Sequence, residues 1–298
     1  MQLVDIPVLE DVCNVLKNQN LSNLNYRIGD GQAVTDLELV EKTHRKWVSE
    51  IIDLSEFTHC YFVNGLADAI HHWKIIETRP WQKLEGEYSY PDNIGSPSTV
   101  CCDVPGQYMN EDLGRSAIPA VIDKNKPLYI SIPSHADGNY FNPQATGKIV
   151  APVILDCSYV GSTSIQKIDI PQNTEQVFFE FSRSFGLVAQ GIGLVYTKKP
   201  HPTLQKLKEL EEWNYVGVKM ISALISNFSV DEMWKKHNQL QNKICENYQF
   251  KPASCFYLAT TRDPEYKEMR YMRWNDTAKI CITWFFDDHR INTHKGKL

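Results

Sequence analysis

Two short stretches, 153-VILDCSY-159 and 181-FSRSFG-186, decide the fold of this chain. Each lies at the end of an apolar run, and the polar residues Asp156 and Arg183 come where these runs stop. Short apolar runs are typical of strands that are buried on both faces of a parallel sheet. Ligands of such sheets bind beyond the carboxyl ends of the strands. We therefore predict that Asp156 and Arg183 lie close together at one edge of a sheet.

Apolar runs and helical periodicity alternate along the chain around these stretches. Helical spacing of apolar residues is found at 37–54, 67–76 and 231–248, and strand-like runs at 59–63, 99–103, 128–132, 149–155, 176–181 and 192–197. Alternation of this kind is typical of α/β proteins. We therefore predict an α/β fold with a mainly parallel sheet.

Changes of pattern along the sequence indicate four segments. The polar residues 1–40 are predicted to form an N-terminal arm or part of a small domain, and residues 41–202 the large domain. Residues 203–230 carry a long helical periodicity and are predicted to form one connecting helix. Residues 231–298 combine one helical run with two strand-like runs, which predicts a small α+β domain.

The composition excludes several classes of protein. The 298 residues are 42% hydrophobic and 22% charged, which is ordinary for a globular protein, and the net charge is −5. We therefore expect neither a nucleic-acid nor a membrane partner. The N-terminus has acids where a signal peptide has bases, so we expect a cytoplasmic protein. The eight cysteines form no CxxC pair and predict buried thiols rather than a zinc site.

Other polar and glycine-containing turns follow the strand-like runs in a fixed order. The run 59–63 ends in Asn64-Gly65-Leu66, at the start of a predicted helix, where free N–H groups attract an anion. Tyr88 follows in GEYSYPD, and His135 follows in ISIPSHADGN. Asp156, Tyr159 and the FSRSFG stretch complete the order.

This order, from about residue 55 to about residue 200, resembles the fold type I enzymes that use pyridoxal 5'-phosphate (PLP), the aspartate aminotransferase superfamily. Within this superfamily, the order of motifs most resembles that of class I/II enzymes such as histidinol-phosphate aminotransferase. The resemblance implies that Asn64, Gly65 and Leu66 hold the cofactor phosphate. It also implies that Tyr88, with Tyr90 as the alternative, stacks on the pyridine ring.

The resemblance also assigns roles to the residues after the later strands. Asp156 would pair with the pyridine nitrogen, and Tyr159 would bond the ring hydroxyl. Ser182 and Ser184 would be small phosphate donors, or else ordinary turn residues. The family sites lie at a subunit interface, which implies a homodimer with the segment 81–108 at the interface.

The sequence departs from the family pattern at the positions that carry its chemistry. Arg183 stands where the Schiff-base lysine belongs, and Gly191 where an arginine reaches the phosphate. His135 stands where an asparagine is expected, unless Asn142 in NPQATG is the counterpart, and the stretch 279–282 lacks the expected carboxylate-binding arginine. A guanidinium stays protonated and is a poor nucleophile, so we expect no internal aldimine.

The residues leave alternatives open. Arg183 grips a phosphate or a carboxylate, or it fills space and pairs with Asp156. His135 is a proton shuttle or, more simply, a hydrogen-bonded residue. The sequence predicts a non-catalytic, ligand-binding relative, a pseudoenzyme with a small-molecule ligand. The alternative is an enzyme that holds PLP or its amine form noncovalently and acts on an amino or keto substrate.

Two substitutions are predicted to probe this site. Arg183→Lys would gain a borohydride-reducible PLP adduct if the cofactor cavity is intact. Gly191→Arg, added to Arg183→Lys, would tighten binding by roughly 1.5–3 kcal/mol, if the new guanidinium makes charge-assisted hydrogen bonds.

Overall fold

The computed structural model describes residues 9–19, 31–84, 86–88, 97–100, 109–110, 114–115, 122–141, 149–187, 190–267, 272–274 and 277–286. The α-helices in these ranges are α1 (Glu10–Lys17), α2 (Gln32–Trp47), α3 (Leu66–Ile76), α4 (Phe181–Ser184), α5 (Pro202–Leu210), α6 (Tyr215–Asn227) and α7 (Glu232–Tyr248). Short 3-10 helices lie at Pro264–Lys267 and Thr283–Phe285. None of the described helices is long and apolar enough to cross a membrane.

The strands form one large and two small sheets. They are β1 (His59–Val63), β2 (Gln82–Leu84), β3 (Ser98–Val100), β4 (Met109–Asn110), β5 (Gly114–Arg115), β6 (Leu128–Ser131), β7 (Val153–Asp156), β8 (Thr174–Glu180), β9 (Gly193–Thr197), β10 (Lys251–Pro252), β11 (Leu258–Thr261), β12 (Met272–Trp274) and β13 (Thr277–Cys281). The large sheet has seven strands in the order β1-β9-β8-β7-β6-β2-β3. The neighbouring strands β3, β2, β6, β7 and β8 pair in parallel. Strand β9 runs antiparallel to both β8 and β1. The predicted α/β fold with a mainly parallel sheet is confirmed.

The central strands are apolar because helices cover both faces of the sheet. On β7, Val153 and Leu155 pack into one buried cluster, which also includes residues of α2 and α6. Ile154 points to the opposite face and packs with residues of α3 and α5. Successive side chains of a strand alternate between its faces, so a strand covered on both sides is apolar throughout.

The single connecting helix predicted at 203–230 is wrong, because two helices occupy this segment. Glu211 adopts a left-handed conformation, with φ of 56°, and ends α5. The Asn214 side chain accepts a hydrogen bond from the N–H of Gly217 and starts α6. The proposed domain boundaries stay predictions, although α2 runs across the boundary placed after residue 40.

The C-terminal part of the chain packs over one end of the central strands of the large sheet. Its four strands pair antiparallel in the order β10-β11-β13-β12. The N–H of Cys255 donates to the carbonyl of Gly138, and the N–H of Phe256 donates to that of Ser162. The small sheet therefore lies over the carboxyl ends of β6 and β7.

The strand register brings the polar strand ends together. Ser131, the last residue of β6, pairs with Asp156, the last residue of β7. On the other side, Glu180 at the end of β8 and Val63 at the end of β1 both pair with Gly193 of β9. The turn that starts α3 therefore lies beside the end of β8.

Candidate functional site

Asp156 is the centre of a buried hydrogen-bond network at the end of β7. Its carboxylate is completely buried. Oδ1 accepts hydrogen bonds from the N–H, at 2.8 Å, and the hydroxyl of Ser158. Oδ2 accepts from the Tyr129 hydroxyl at 2.5 Å and lies 3.0 Å from His135 Nε2. Three of the roughly four lone-pair sites of the carboxylate therefore accept hydrogen bonds from this chain, and the His135 ring nitrogen lies beside it.

Asp156 and His135 have complementary protonation states. Burial alone would raise the pKa of Asp156, but the adjacent His135 and the hydrogen bonds from His135, Ser158 and Tyr129 outweigh it and lower the pKa below its ordinary value. Burial lowers the pKa of His135 to about 4, against the attraction of Asp156. At neutral pH a carboxylate therefore faces a neutral imidazole. Because a carboxylate only accepts hydrogen bonds, the network assigns the imidazole proton to Nε2.

The His135 ring is fixed by stacking and by main-chain bonds. It stacks on the Tyr159 ring, with centroids 4.7 Å apart and planes at 29°, and lies 5.6 Å from the Tyr88 ring. The main-chain N–H of His135 donates to Ser131 Oγ at 2.6 Å, and the main-chain carbonyl of His135 accepts from Lys279 Nζ at 2.6 Å. The ring therefore has one position, against Asp156 and Tyr159.

Arg183, in the turn α4, pairs with Glu180 and not with Asp156. Its Nε donates to Glu180 Oε2 at 2.9 Å, and its Cζ lies 5.3 Å from the centre of the Tyr88 ring. Burial opposes the charge of the guanidinium, but the Glu180 carboxylate more than offsets this and raises the pKa of Arg183 far above its usual value. Arg183 is therefore a permanent cation whose nearest anion belongs to the same chain.

The turn at the start of α3 packs main chain against main chain. Gly65 has a φ of 86°, and a Cβ added to it would lie 3.2 Å from Gly191 Cα and 3.4 Å from Glu180 Oε1. A Cβ added to Gly191 would lie only 2.4 Å from the carbonyl oxygen of Asn64. No side chain fits at position 191 without moving this turn. This contact argues against the expectation that Gly191→Arg would tighten phosphate binding, which stays a prediction.

The two candidate serines bond within the chain. Ser182 Oγ donates to Glu180 Oε1 at 2.5 Å. Ser184 Oγ is fully buried and donates to the carbonyl of Val160. Ser182 thus lies at the α3 end of the site, whereas Ser184 stabilises the turn that follows β7.

The remaining candidates of the α3 turn contribute main chain rather than side chains. The N–H and the side-chain amide of Asn64 both donate to Asp68 Oδ2, at 2.9 and 3.3 Å. The Leu66 side chain is buried in the apolar cluster between α3 and the sheet. Tyr90 and Asn142 lie outside the described residues.

Sequence reasoning missed several residues of this site. Glu180 stands directly before the FSRSFG stretch, and an acid three residues before Arg183 was a usable signal. Tyr129 lies in an apolar run and had no such signal. Lys279 lies in the stretch from which an arginine is missing, and it reaches the site with a side chain that is only 1% exposed.

A cavity of about 540 Å³ lies away from this site, at the opposite end of the central strands of the large sheet. Its lining includes Trp73, Ile154, Thr174 and His201, and none of the candidate residues above. Among the described residues, no group of three or more His, Cys, Asp or Glu side chains is placed to hold a metal ion.

The arrangement around Asp156 does not fit PLP. The oxygen that would meet a pyridine nitrogen already faces His135, and the α3 turn that would meet a phosphate faces the carboxylate of Glu180. Arg183 offers no amine, and Gly191 offers no charge. A cofactor would enter only after His135 and Glu180 had moved.

Comparisons with known proteins bear on the fold. The sequence matches no protein-family model and no curated protein. An aminotransferase from Staphylococcus aureus has a similar structure, with a TM-score of 0.65 at 10% identity, covering 97% of this chain and 90% of that one. An aromatic aminotransferase from Pyrococcus horikoshii gives 0.65 at 14% identity, covering 94% and 89%. A PLP-bound C-S lyase from Staphylococcus hominis gives 0.61 at 14%, covering 90% and 76%.

At these identities the likeness concerns the fold and not the reaction. It extends over nearly the whole chain. The chain therefore has the fold of the PLP-dependent aminotransferases of fold type I.

Proposed function

We propose that this chain is a non-catalytic relative of the aminotransferases, a pseudoenzyme that keeps their fold without their Schiff-base chemistry. The Arg183–Glu180 pair carries the proposal. The reaction of the family starts from an amine that loses its proton and attacks an aldehyde, whereas the guanidinium here stays protonated and is held at 2.9 Å by a carboxylate.

The rest of the site supports the same function. Three hydrogen bonds reach the Asp156 carboxylate, and the His135 ring nitrogen lies 3.0 Å from the oxygen that would meet a pyridine nitrogen. The contact between Gly191 and Asn64 leaves no room for a cationic side chain at position 191. Each of these features concerns a position that would touch a cofactor, while the sheet and its core are intact.

A second candidate function is an enzyme that holds PLP or its amine form noncovalently and acts on an amino or keto substrate. It is favoured by the ionised Asp156, with Tyr159 and Tyr88 nearby, and by the cationic Arg183. This function requires His135 to leave Asp156 before the cofactor binds.

The two functions are separated by adding PLP to the wild-type protein. After equilibrium dialysis, the absorption spectrum shows whether PLP is retained, and borohydride reduction followed by peptide mass mapping shows whether it is linked. We expect neither retention nor a site-specific adduct. Retention without an adduct would support the second function, and an adduct within the site would contradict both.

We also propose a cytoplasmic homodimer with a small-molecule ligand. The net charge of −5 supports the absence of nucleic-acid and anionic-membrane partners. Much of the proposed interface segment 81–108 lies outside the described residues, and Trp81 is buried within its own chain. Light scattering at micromolar concentration tests the dimer, and a monomer would contradict it.

A further inference from the structure

We propose that this chain carries its own substitute for the cofactor: the His135 imidazole takes the place of the pyridine ring on Asp156, and the Glu180 carboxylate takes the place of the phosphate at the start of α3. The inference rests on the proposed function, because a bound PLP would need both places.

At the Asp156 end, His135 has the chemistry of the ring that it would replace. It is a flat aromatic heterocycle with a ring nitrogen 3.0 Å from Asp156 Oδ2. Its face lies against Tyr159, at 4.7 Å. A completely buried carboxylate needs polar partners, and the His135 ring nitrogen lies where the ring nitrogen of a cofactor would otherwise come.

At the α3 end, Glu180 has the chemistry of the phosphate. Its Oε1 lies 3.4 Å from the Cβ position of Gly65, next to the first residue of α3, where a helix favours an anion. Its carboxylate accepts from the Ser182 hydroxyl at 2.5 Å and from the Arg183 guanidinium at 2.9 Å. A hydroxyl and a guanidinium at a helix start are donors that also suit a phosphate.

A continuous row of side chains joins the two ends. Arg183 pairs with Glu180 and lies over the Tyr88 ring at 5.3 Å, and Tyr88 in turn lies 5.6 Å from His135. Glu180, Arg183, Tyr88, His135 and Asp156 therefore span the site. Removing one end member should open a hole of matching chemistry and leave the other members in place.

Chemical rescue tests each end separately. His135→Gly should bind imidazole or 3-hydroxypyridine, and Glu180→Ser should bind inorganic phosphate at least about tenfold more tightly than wild type. At saturating ligand each variant should gain roughly 3 °C or more in Tm, with no gain in wild type. His201→Gly and Glu77→Ser are matched controls, because His201 is buried and Glu77 is ion-paired away from the site. Folded variants that bind no better than these controls would overturn the inference.

A second series of variants tests the inference with PLP itself. Arg183→Lys alone should form no reducible adduct at position 183, because both places are still filled. The triple variant His135→Gly, Glu180→Ser, Arg183→Lys should form one. Equal labelling of the single and triple variants would overturn the inference. Retention of PLP by wild type would instead contradict the proposed function, so the two failures are distinguishable.

A measurement on wild type applies even if the variants fail to fold. The ¹⁵N NMR shifts of the His135 ring should show a neutral imidazole protonated at Nε2. Excess PLP should leave these shifts unchanged. A PLP-dependent shift of the His135 resonances would show that the ring is displaced and would overturn the inference.

Discussion

The two ends of the site differ in how closely they are held. At the Asp156 end, the side chains of Asp156 and His135 are 0% and 3% exposed, and the carboxylate accepts three hydrogen bonds with the His135 ring beside it. At the α3 end, the side chains of Glu180 and Arg183 are 10% and 18% exposed and form a single ion pair. Water reaches the second pair but not the first.

This difference indicates what each end of the site requires from its surroundings. A carboxylate at the end of a central strand cannot be left without donors, because an unpaired buried charge costs several kcal/mol. An anion at a partly exposed helix start has water as an alternative partner. The buried end is therefore expected to control stability, and the exposed end to control anion binding.

The largest effect is predicted for Asp156→Ala. The substitution leaves the donors of His135, Ser158 and Tyr129 buried without their acceptor, so we expect a loss of about 3–5 kcal/mol in the free energy of unfolding. Urea denaturation measures the loss. The exposed Asp53→Ala, which removes one acceptor for the N–H of Ser55, is the control and should have a much smaller effect. A similar loss in both variants would contradict the difference between the ends.

The next effect is a pH dependence from the buried His135. Its pKa falls from 6.5 to about 4 on folding, so the unfolded chain binds more protons between these values and stability decreases as the pH falls through this window. The contribution is at most about 3 kcal/mol. Asp156 adds no loss here, because its folded pKa lies below the window.

Urea denaturation from pH 7 to pH 4 measures this dependence. The buried His44, whose pKa is lowered to about 3, adds to the slope in wild type. His135→Asn should therefore flatten the profile only in part, and His44→Asn should flatten it separately. A His135→Asn profile that parallels wild type would show that His135 is not held neutral.

A smaller effect is predicted at the α3 turn. Gly191→Ala places a Cβ 2.4 Å from the Asn64 carbonyl oxygen, so the turn must move, at a cost of about 1–3 kcal/mol. Gly191→Arg should be at least as destabilising and should gain no phosphate affinity. Thermal unfolding and phosphate titration measure both variants, and a stable Gly191→Arg protein with tightened phosphate binding would restore the original expectation.

The smallest effect is predicted for Glu180→Gln. It leaves the Arg183 cation without its carboxylate, but partial exposure lets water replace it, so we expect a loss of about 1–2 kcal/mol that decreases with added salt. Glu41→Gln breaks the comparable Glu41–Arg45 pair on α2 and is the matched control. A loss at Glu180 as large as that of Asp156→Ala would remove the distinction between the two ends.

The sequence predicted the sheet better than the contacts of the site. The runs 59–63 and 128–132 correspond to β1 and β6 because a strand covered on both faces must be apolar. The strand-end position of Asp156 followed from the same pattern, whereas Arg183 lies in the turn α4, after the end of β8. The partner of Arg183 did not, because the turn α4 directs its side chain to Glu180.

Contacts between residues that are far apart in the sequence could not be predicted from it. Lys279 reaches His135 from the small sheet, 144 residues away, and no local pattern reports such a contact. The packing of Gly191 against Asn64 likewise depends on the pairing of β1 with β9. Only the coordinates placed His135 and Glu180 in the site.

A crystal structure of wild-type protein grown with excess PLP tests the central claim most directly. The account predicts that the His135 ring remains about 3 Å from Asp156, that Glu180 remains beside Gly65, and that no cofactor density lies between them. A pyridine ring bonded to Asp156, with its phosphate at the start of α3 and His135 displaced, would contradict it.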